Sequence, residues 1–224
     1  MAQDDDKRLA AEAAVAEVQA DMCVGLGTGS TVRFAIDALA ARVRDGLRIA
    51  AVATSERSAV QARVGGIVVR DFADVATVDL TIDGADEIDA RLWAIKGAGG
   101  AMLREKVVAA ASTRMVVIAD ASKQVAAIGA AKLPVEVLPF ARAFVARRLA
   151  ALGAQVTVRA EPTDNGNLVL DATFAVFPEP IALAAAIDAI PGALGHGLFL
   201  REVDAAYVAA NGVVTRLERG AGSG

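Results

Sequence analysis

Short apolar runs that end in a polar or glycine-rich loop and then pass into a helical pattern recur along this chain. That alternation constrains the fold more than any other feature. Met22-Cys23-Val24-Gly25-Leu26 is followed by Gly27-Thr28-Gly29-Ser30-Thr31 and a helical run over 32–44. Leu47 to Ala53 is followed by Thr54-Ser55-Glu56-Arg57-Ser58 and a helix to about Val64. Further short β-rich runs stand at 67–69, 78–82 and 115–119, with a helix near 101–111, and an amphipathic helix over 7–19 precedes them all. Strands alternating with helices predict a parallel, doubly wound sheet, a fold that places ligands in the crevice outside the carboxyl ends of its strands.

Near Lys132 the pattern changes. Residues 134–138 read as a strand and 140–152 as a helix ended by Gly153. Residues 155–160 read as a second strand, joined through a hairpin turn at Asp164-Asn165-Gly166-Asn167 to a third at 168–174. An Ala-rich helix follows Pro178 and Pro180, and then a strand around 194–200. The order β-α-β-β-α-β is that of a ferredoxin-like unit. A final hairpin is expected from 205–209 and 213–217 around Asn211-Gly212, with a loose glycine-rich tail at 220–224.

Composition narrows the chemistry. The 224 residues contain one cysteine, Cys23, and one histidine, His196. A disulfide framework, a Cys-based zinc or iron–sulfur cluster and a two-His metal site are therefore excluded within one chain. Cys23, beside an apolar strand, reads as a buried small hydrophobe, and His196 as a structural or interface residue. Only five of the 23 basic residues are lysines: Lys7, Lys96, Lys106, Lys123 and Lys132. The net charge of −4, with no Arg-rich helix, argues against nucleic acid as a partner, while a local site can still bind phosphate. No apolar run approaches the roughly 18 to 20 residues of a membrane span, and Met1 to Ala10 lacks a signal-peptide pattern, so a cytoplasmic setting is expected.

Four loops carry the candidate chemistry. The 25–31 segment begins like a dinucleotide fingerprint, but Ser30 occupies the third glycine position. It also lacks the Gly-Lys-Ser/Thr end of a Walker loop. A glycine turn with three hydroxyls at a helix N-terminus suits one phosphate group, or it is a strand–helix turn whose Thr or Ser caps the helix. Asp83-Gly84-Ala85-Asp86-Glu87-Ile88-Asp89 places carboxylates at a strand's carboxyl end, with spacing wrong for a calcium loop, or forms a solvated acidic turn. Lys96-Gly97-Ala98-Gly99-Gly100 opens onto a helix start. Lys96 there would be a cation beside developing negative charge, and Glu105, in the first turns, a base; the alternative is a flexible turn with Glu105 ion-paired. Asp120-Ala121-Ser122-Lys123 brings Lys123 to the same sheet edge.

These motifs, with Thr54-Ser55, Arg104-Glu105-Lys106, Leu133-Pro134-Val135-Glu136-Val137, Thr163 to Asn167 and Gly197-Leu198-Phe199, together closely resemble the type A ribose-5-phosphate isomerase family over nearly the whole chain. The resemblance implies interconversion of ribose 5-phosphate and ribulose 5-phosphate in the non-oxidative pentose phosphate pathway, through a cis-enediol(ate) and without metal or cofactor. It implies Glu105 as the general base between C2 and C1, Asp83 and Asp86 as carboxylates for the sugar hydroxyls and ring opening, and Lys96 as the cation near the substrate oxygens. Thr28, Gly29, Ser30, Thr31, Gly84, Ala85, Gly97, Ala98, Gly99 and Lys123 are the implied substrate contacts, with Lys7 a further phosphate candidate. A homodimer or higher homo-oligomer is implied as well. The family loop reads Lys-Gly-Gly-Gly, so Ala98 is a departure that requires a backbone conformation a Cβ tolerates. A sugar-phosphate sensor domain, an amino-sugar phosphate deaminase or another isomerase on the same scaffold remain alternatives. The expected architecture is α/β: a Rossmann-like doubly wound, mainly parallel sheet over 1–130, completed by 206–224, with an inserted smaller α+β ferredoxin-like domain at 131–205.

Overall fold

A strand covered on both faces needs apolar or small residues at consecutive positions, and the runs that precede the candidate loops have them. The computed structural model describes residues 2–220; residues 221–224 of the expected loose tail lie outside the described residues. Helix α1 (Ala2–Val15) leads into β1 (Cys23–Leu26), α2 (Ser30–Arg44), β2 (Ala50–Ala53), α3 (Glu56–Val64), β3 (Val68–Val69), β4 (Val78–Gly84), β5 (Glu87–Ile88) and β6 (Ala94–Ile95). Next come α4 (Met102–Ala110), β7 (Ser112–Asp120), β8 (Leu133–Val137), α5 (Arg142–Ala151), β9 (Ala154–Val158) and β10 (Leu168–Phe174). The chain continues through α6 (Pro180–Asp188), β11 (Ala193–His196), β12 (Leu198–Phe199), β13 (Ala205–Ala210) and β14 (Val213–Glu218).

The large sheet has seven strands in the order β14-β13-β7-β4-β1-β2-β3, parallel throughout except for β14 at one edge. After β1 the chain first builds outward through β2 and β3, then returns to lay β4, β7 and β13 on the other side. The strand order therefore reverses between β1 and β4, and their carboxyl ends open the crevice that such a reversal creates. Val32, Ala35, Ile36, Leu39 and Ala40 repeat at helical spacing and bury one face of α2 against β1 and β4, in a core that Ala10, Ala11 and Ala14 of α1 share. Cys23 is half-buried at the margin of this sheet rather than buried, and burial next to Asp79 raises its thiol pKa.

The second sheet is wholly antiparallel, in the order β11-β8-β10-β9. Numbered within the unit this is 4-1-3-2, the ferredoxin-like arrangement, with α5 and α6 packing Val145, Leu149, Leu183 and Ile187 onto its apolar face.

The residues around 194–200 do not form one strand as expected. The run breaks at Gly197 into β11, which joins the second sheet, and β12, which pairs with β6 in a small sheet of order β12-β6-β5. The reason is a close approach: Lys96 N–H donates to the Gly197 carbonyl at 2.9 Å, and Gly197 N–H donates to the Pro134 carbonyl at 2.8 Å. A Cβ at Gly197 would lie 2.1 Å from the Lys96 oxygen and 2.8 Å from Pro134 Cδ. Two-residue strands are too short to show a period, so β5, β6 and β12 left no pattern to read. The first helix begins at Ala2 and ends at Val15, earlier than the 7–19 expected, and β2 begins at Ala50 rather than Leu47.

Gly197→Ala is expected to destabilise the protein by about 1–3 kcal/mol, since backbone on one side and a proline ring on the other leave the methyl no space. Urea denaturation checks this; an unchanged midpoint would mean that the contact between Lys96 and Gly197 is not tightly held.

Candidate active site

Glycine lets the first candidate loop come close to the acidic one. A Cβ on Gly27 would lie 1.9 Å from Asp83 Oδ1, an oxygen that instead accepts N–H groups from Thr28 at 3.1 Å and Gly84 at 2.7 Å. The helix that follows is capped by neither Thr nor Ser. Its N-cap is Gly29, at φ 137°, with no side chain to satisfy the first-turn N–H groups. That uncapped end borders the cavity and is free to receive an anion. The Thr28 hydroxyl is occupied elsewhere, 2.8 Å from both the Thr54 and Ser55 hydroxyls, and Ser58 ties the ladder to the Gly27 carbonyl at 2.7 Å.

Lys96 follows β6 directly and is only 2% exposed. Its ammonium lies 2.9 Å from Asp83 Oδ2 and 3.3 Å from Glu105 Oε2, donates to the Gly84 carbonyl, and stands 5.4 Å from the centre of the Phe199 ring. Glu105 sits in the first turn of α4, buried. Three charges thus share one water-poor place. Burial favours the neutral carboxyls: Asp83 is pushed up against the pull of Lys96, and Glu105 is pushed up to about 8 by burial and by Asp83, with Lys96 opposing. Burial alone would depress Lys96, but Asp83 and Glu105 hold it above its ordinary value, so it stays an ammonium. Glu105 is ion-paired, as the flexible-turn alternative had it, but its partner is the other candidate residue, Lys96.

The acidic run divides by face. Asp86 borders the cavity, and its Oδ2 accepts the Ala98 N–H at 2.9 Å. Glu87 and Asp89 are structural: Glu87 accepts from the N–H groups of Gly129 and Ala131 at 2.7 Å each, and Asp89 pairs with Arg91 at 2.6 Å. Ala98 fits without strain, because the left-handed positions of its loop are Gly97 at φ 103° and Gly100 at φ 77°.

A cavity of about 510 Å³ joins these pieces. Thr28 to Thr31, Gly84 to Asp86, Lys96 to Gly99, Glu105 and Lys123 all line it. Asp83 stands behind Lys96, completely buried. Lys7 is not among the lining residues; it pairs with Asp4 at 3.6 Å. Arg33, Arg57, Ser58 and Gln61 also line the cavity and were not singled out from the sequence. Arg33 belongs to the first turn of α2, and Arg57, Ser58 and Gln61 to the first two turns of α3, so the polar start of the second strand–loop–helix repeat was the signal that could have found Arg57 and Ser58. His196 lies outside the cavity: Nδ1 accepts the Leu198 N–H at 3.1 Å, Nε2 lies 3.2 Å from Asp188, and burial pushes its pKa down to about 4. Among the described residues, no group of three or more His, Cys, Asp or Glu side chains is arranged to hold a metal ion, and no helix is long and apolar enough to cross a membrane.

Comparison with known proteins agrees with this fold. The family model described as ribose 5-phosphate isomerase A (phosphoriboisomerase A) matches residues 50–212. Ribose-5-phosphate isomerase A of Sphingopyxis alaskensis is 52% identical over 220 residues, covering 96% of each chain. That of Gloeobacter violaceus is 50% identical over 213 residues, covering 92% of this chain and 93% of the relative. The crystal structure of ribose 5 phosphate isomerase A from Neisseria gonorrhoeae superposes with a TM-score of 0.92 at 38% identity, covering 97% of both chains. A D-ribose-5-phosphate isomerase in complex with phospho-erythronic acid superposes with a TM-score of 0.93 at 31% identity, covering 98% of this chain and all of the other. With half its residues shared with such relatives along almost its full length, and the same fold, the chain belongs to the ribose-5-phosphate isomerase A family.

Proposed function

We propose that this chain interconverts ribose 5-phosphate and ribulose 5-phosphate with Glu105 as the proton-transferring base. The observation that carries the reading is the buried Glu105 carboxylate, 3.3 Å from the Lys96 ammonium at the wall of a cavity whose rim offers an uncapped helix end. The phosphate sits against the N–H groups of Ser30 and Thr31 with Lys123 nearby, where helix dipole and cation both favour it. Asp86, at the cavity wall, takes part in ring opening by accepting and returning a hydroxyl proton, and Asp83 does so through Lys96, which it holds at 2.9 Å. In the open-chain sugar Glu105 removes the proton from C2, and the electron pair moves to make the C1–C2 double bond while the C1 oxygen becomes an enolate. A hydroxyl proton then passes from O2 to O1, and Glu105 returns its proton to C1, leaving a carbonyl at C2. Lys96 lies where that oxygen charge develops, and a donor at such a place is typically worth on the order of 3 kcal/mol. Gly84, Ala85, Gly97, Ala98 and Gly99 present backbone to the sugar at close range. The chemistry belongs to one pathway step in sugar-phosphate metabolism, the non-oxidative pentose phosphate pathway.

The same proposal includes the division of the chain into 1–130 with 206–224 and 131–205, a cytoplasmic setting and a homodimer or higher homo-oligomer. The separate antiparallel sheet over 133–196 and the return of β13 to the large sheet support the division. Lys7 joins the phosphate only if it leaves Asp4, so we give it the smallest part.

Incubating the protein with ribose 5-phosphate should yield ribulose 5-phosphate. Glu105→Gln should still bind substrate and lose turnover by about 10²- to 10⁴-fold. Near-normal turnover in that variant would remove Glu105 from the role. The base must be ionised and its pKa is raised, so kcat/KM should climb as pH rises and level off above about 8. A flat profile from pH 6 upward would place the base elsewhere. In heavy water, turnover should put deuterium from the solvent onto the sugar carbon that Glu105 reprotonates, and exhaustive chelation should leave the rate unchanged. Transfer without solvent deuterium, or a loss that added metal restores, would indicate a hydride shift instead.

A further inference from the structure

We infer that Arg159, which reaches across from the second sheet, is a positioning residue that turns backbone N–H donors of the Lys96 loop toward the substrate. The inference deepens the isomerase reading and rests on it. Arg159 follows β9, more than 50 residues along the chain from the loop, and none of the four candidate loops contains it.

The guanidinium spends its donors in two directions. Nε and Nη2 grip both oxygens of Asp171, on β10, at 2.9 and 2.6 Å, and this bidentate pair fixes the plane of the group. Nη1 has two hydrogens, and it donates to the carbonyls of both Gly97 and Ala98 at 3.0 Å each. Four of the five guanidinium donors are thereby assigned, two to the second sheet and two to the loop.

Peptide planarity supplies the consequence. In a trans peptide the carbonyl and the following N–H point in opposite directions. Drawing the Gly97 carbonyl to Arg159 therefore turns the Ala98 N–H the other way, and that N–H meets Asp86 Oδ2 at 2.9 Å on the cavity side. The Ala98 carbonyl is held by the same nitrogen, so the Gly99 N–H is turned away from Arg159 too. It finds no acceptor among the described residues, and Gly99 borders the cavity. The result is a donor left open at the cavity that also holds Lys96 and Glu105. A cation on the carbonyl side also polarises both peptides and strengthens their N–H groups as donors. Lysine cannot replace this arrangement. A point charge on a flexible stem cannot hold Asp171 and two carbonyls in one plane.

The test is steady-state kinetics on Arg159→Ala and Arg159→Lys beside the unaltered protein. Arg159→Ala should lower kcat by about 10- to 100-fold, below the full loss of one oxyanion donor because the loop keeps its other contacts. KM should move much less. Millimolar guanidinium or ethylguanidinium should recover a large part of the lost kcat in Arg159→Ala, and sodium chloride at the same ionic strength should not. Arg159→Lys, with the charge and most of the stem in place, should remain impaired and gain nothing from guanidinium. Thermal melting of each variant separates a folding loss from a kinetic one; if Arg159→Ala melts below the assay temperature, the Arg159→Lys comparison decides. Full kcat in Arg159→Lys, or a loss in Arg159→Ala that guanidinium relieves no better than salt, would overturn the inference. Failure of the unaltered protein to isomerise ribose 5-phosphate would instead count against the isomerase reading itself.

Discussion

One ammonium between two carboxylates, all shut away from water, is the constraint on which the rest of this structure depends. Lys96 at 2.9 Å from Asp83 and 3.3 Å from Glu105 compensates charges that could not otherwise be buried together. The arrangement is one positive charge short of neutral when both carboxyls are ionised. Burial therefore raises both carboxyl pKa values, and Asp83 raises that of Glu105 further, while Lys96 opposes both shifts. A carboxyl whose pKa is raised to about 8 suits the proton-transferring role proposed for Glu105. The site's reactivity and its electrostatic cost thus have the same origin.

Holding such a cluster requires backbone from several directions. Asp83 is supplied by a central strand of the large sheet and fixed by N–H groups from Thr28 and Gly84. Glu105 comes from the first turn of α4. Lys96 directly follows a two-residue strand paired with β12, and its own N–H is tied to Gly197, which in turn bonds the second sheet at Pro134. The second sheet is therefore more than an appendage. Its Gly197 locks Lys96, its Arg159 holds the loop's carbonyls, and its hairpin turn reaches the helix that carries Glu105, where Arg104 donates to Asn165 at 2.7 Å. Glu136, fully buried, organises that turn by accepting from Thr163, Asn165 and Asn167 at 2.9 Å each. Two cores packed independently meet at the loop where placement to a fraction of an ångström matters most.

The loops that bear the chemistry were legible one at a time. Glycine runs, acids after an apolar strand and a lysine before a glycine loop all announce themselves, and the alternation of strand and helix puts them at one sheet edge. Periodicity could not separate Asp83 and Asp86 from Glu87 and Asp89, because all four lie in one short run. Which carboxylate faces the cavity and which accepts Gly129, Ala131 or Arg91 depends on what packs behind the turn. Arg33 was illegible for a similar reason: on a helix an exposed arginine beside a cavity reads like any other.

By itself, then, the sequence determined the α/β class, the ferredoxin-like second unit, the edge of the large sheet to which the candidate loops come, and the shortage of histidine and cysteine that leaves carboxylates and lysine as its candidate acid–base groups. These follow from local rules: hydrophobic period, turn residues and the inventory of side chains. Only the tertiary structure decided that Lys96 bridges Asp83 and Glu105, that the run after His196 breaks at Gly197 to join two sheets, and that Arg159 touches the loop after Lys96. Each is a contact between segments far apart in the chain, made by close packing of surfaces whose shapes no local pattern records.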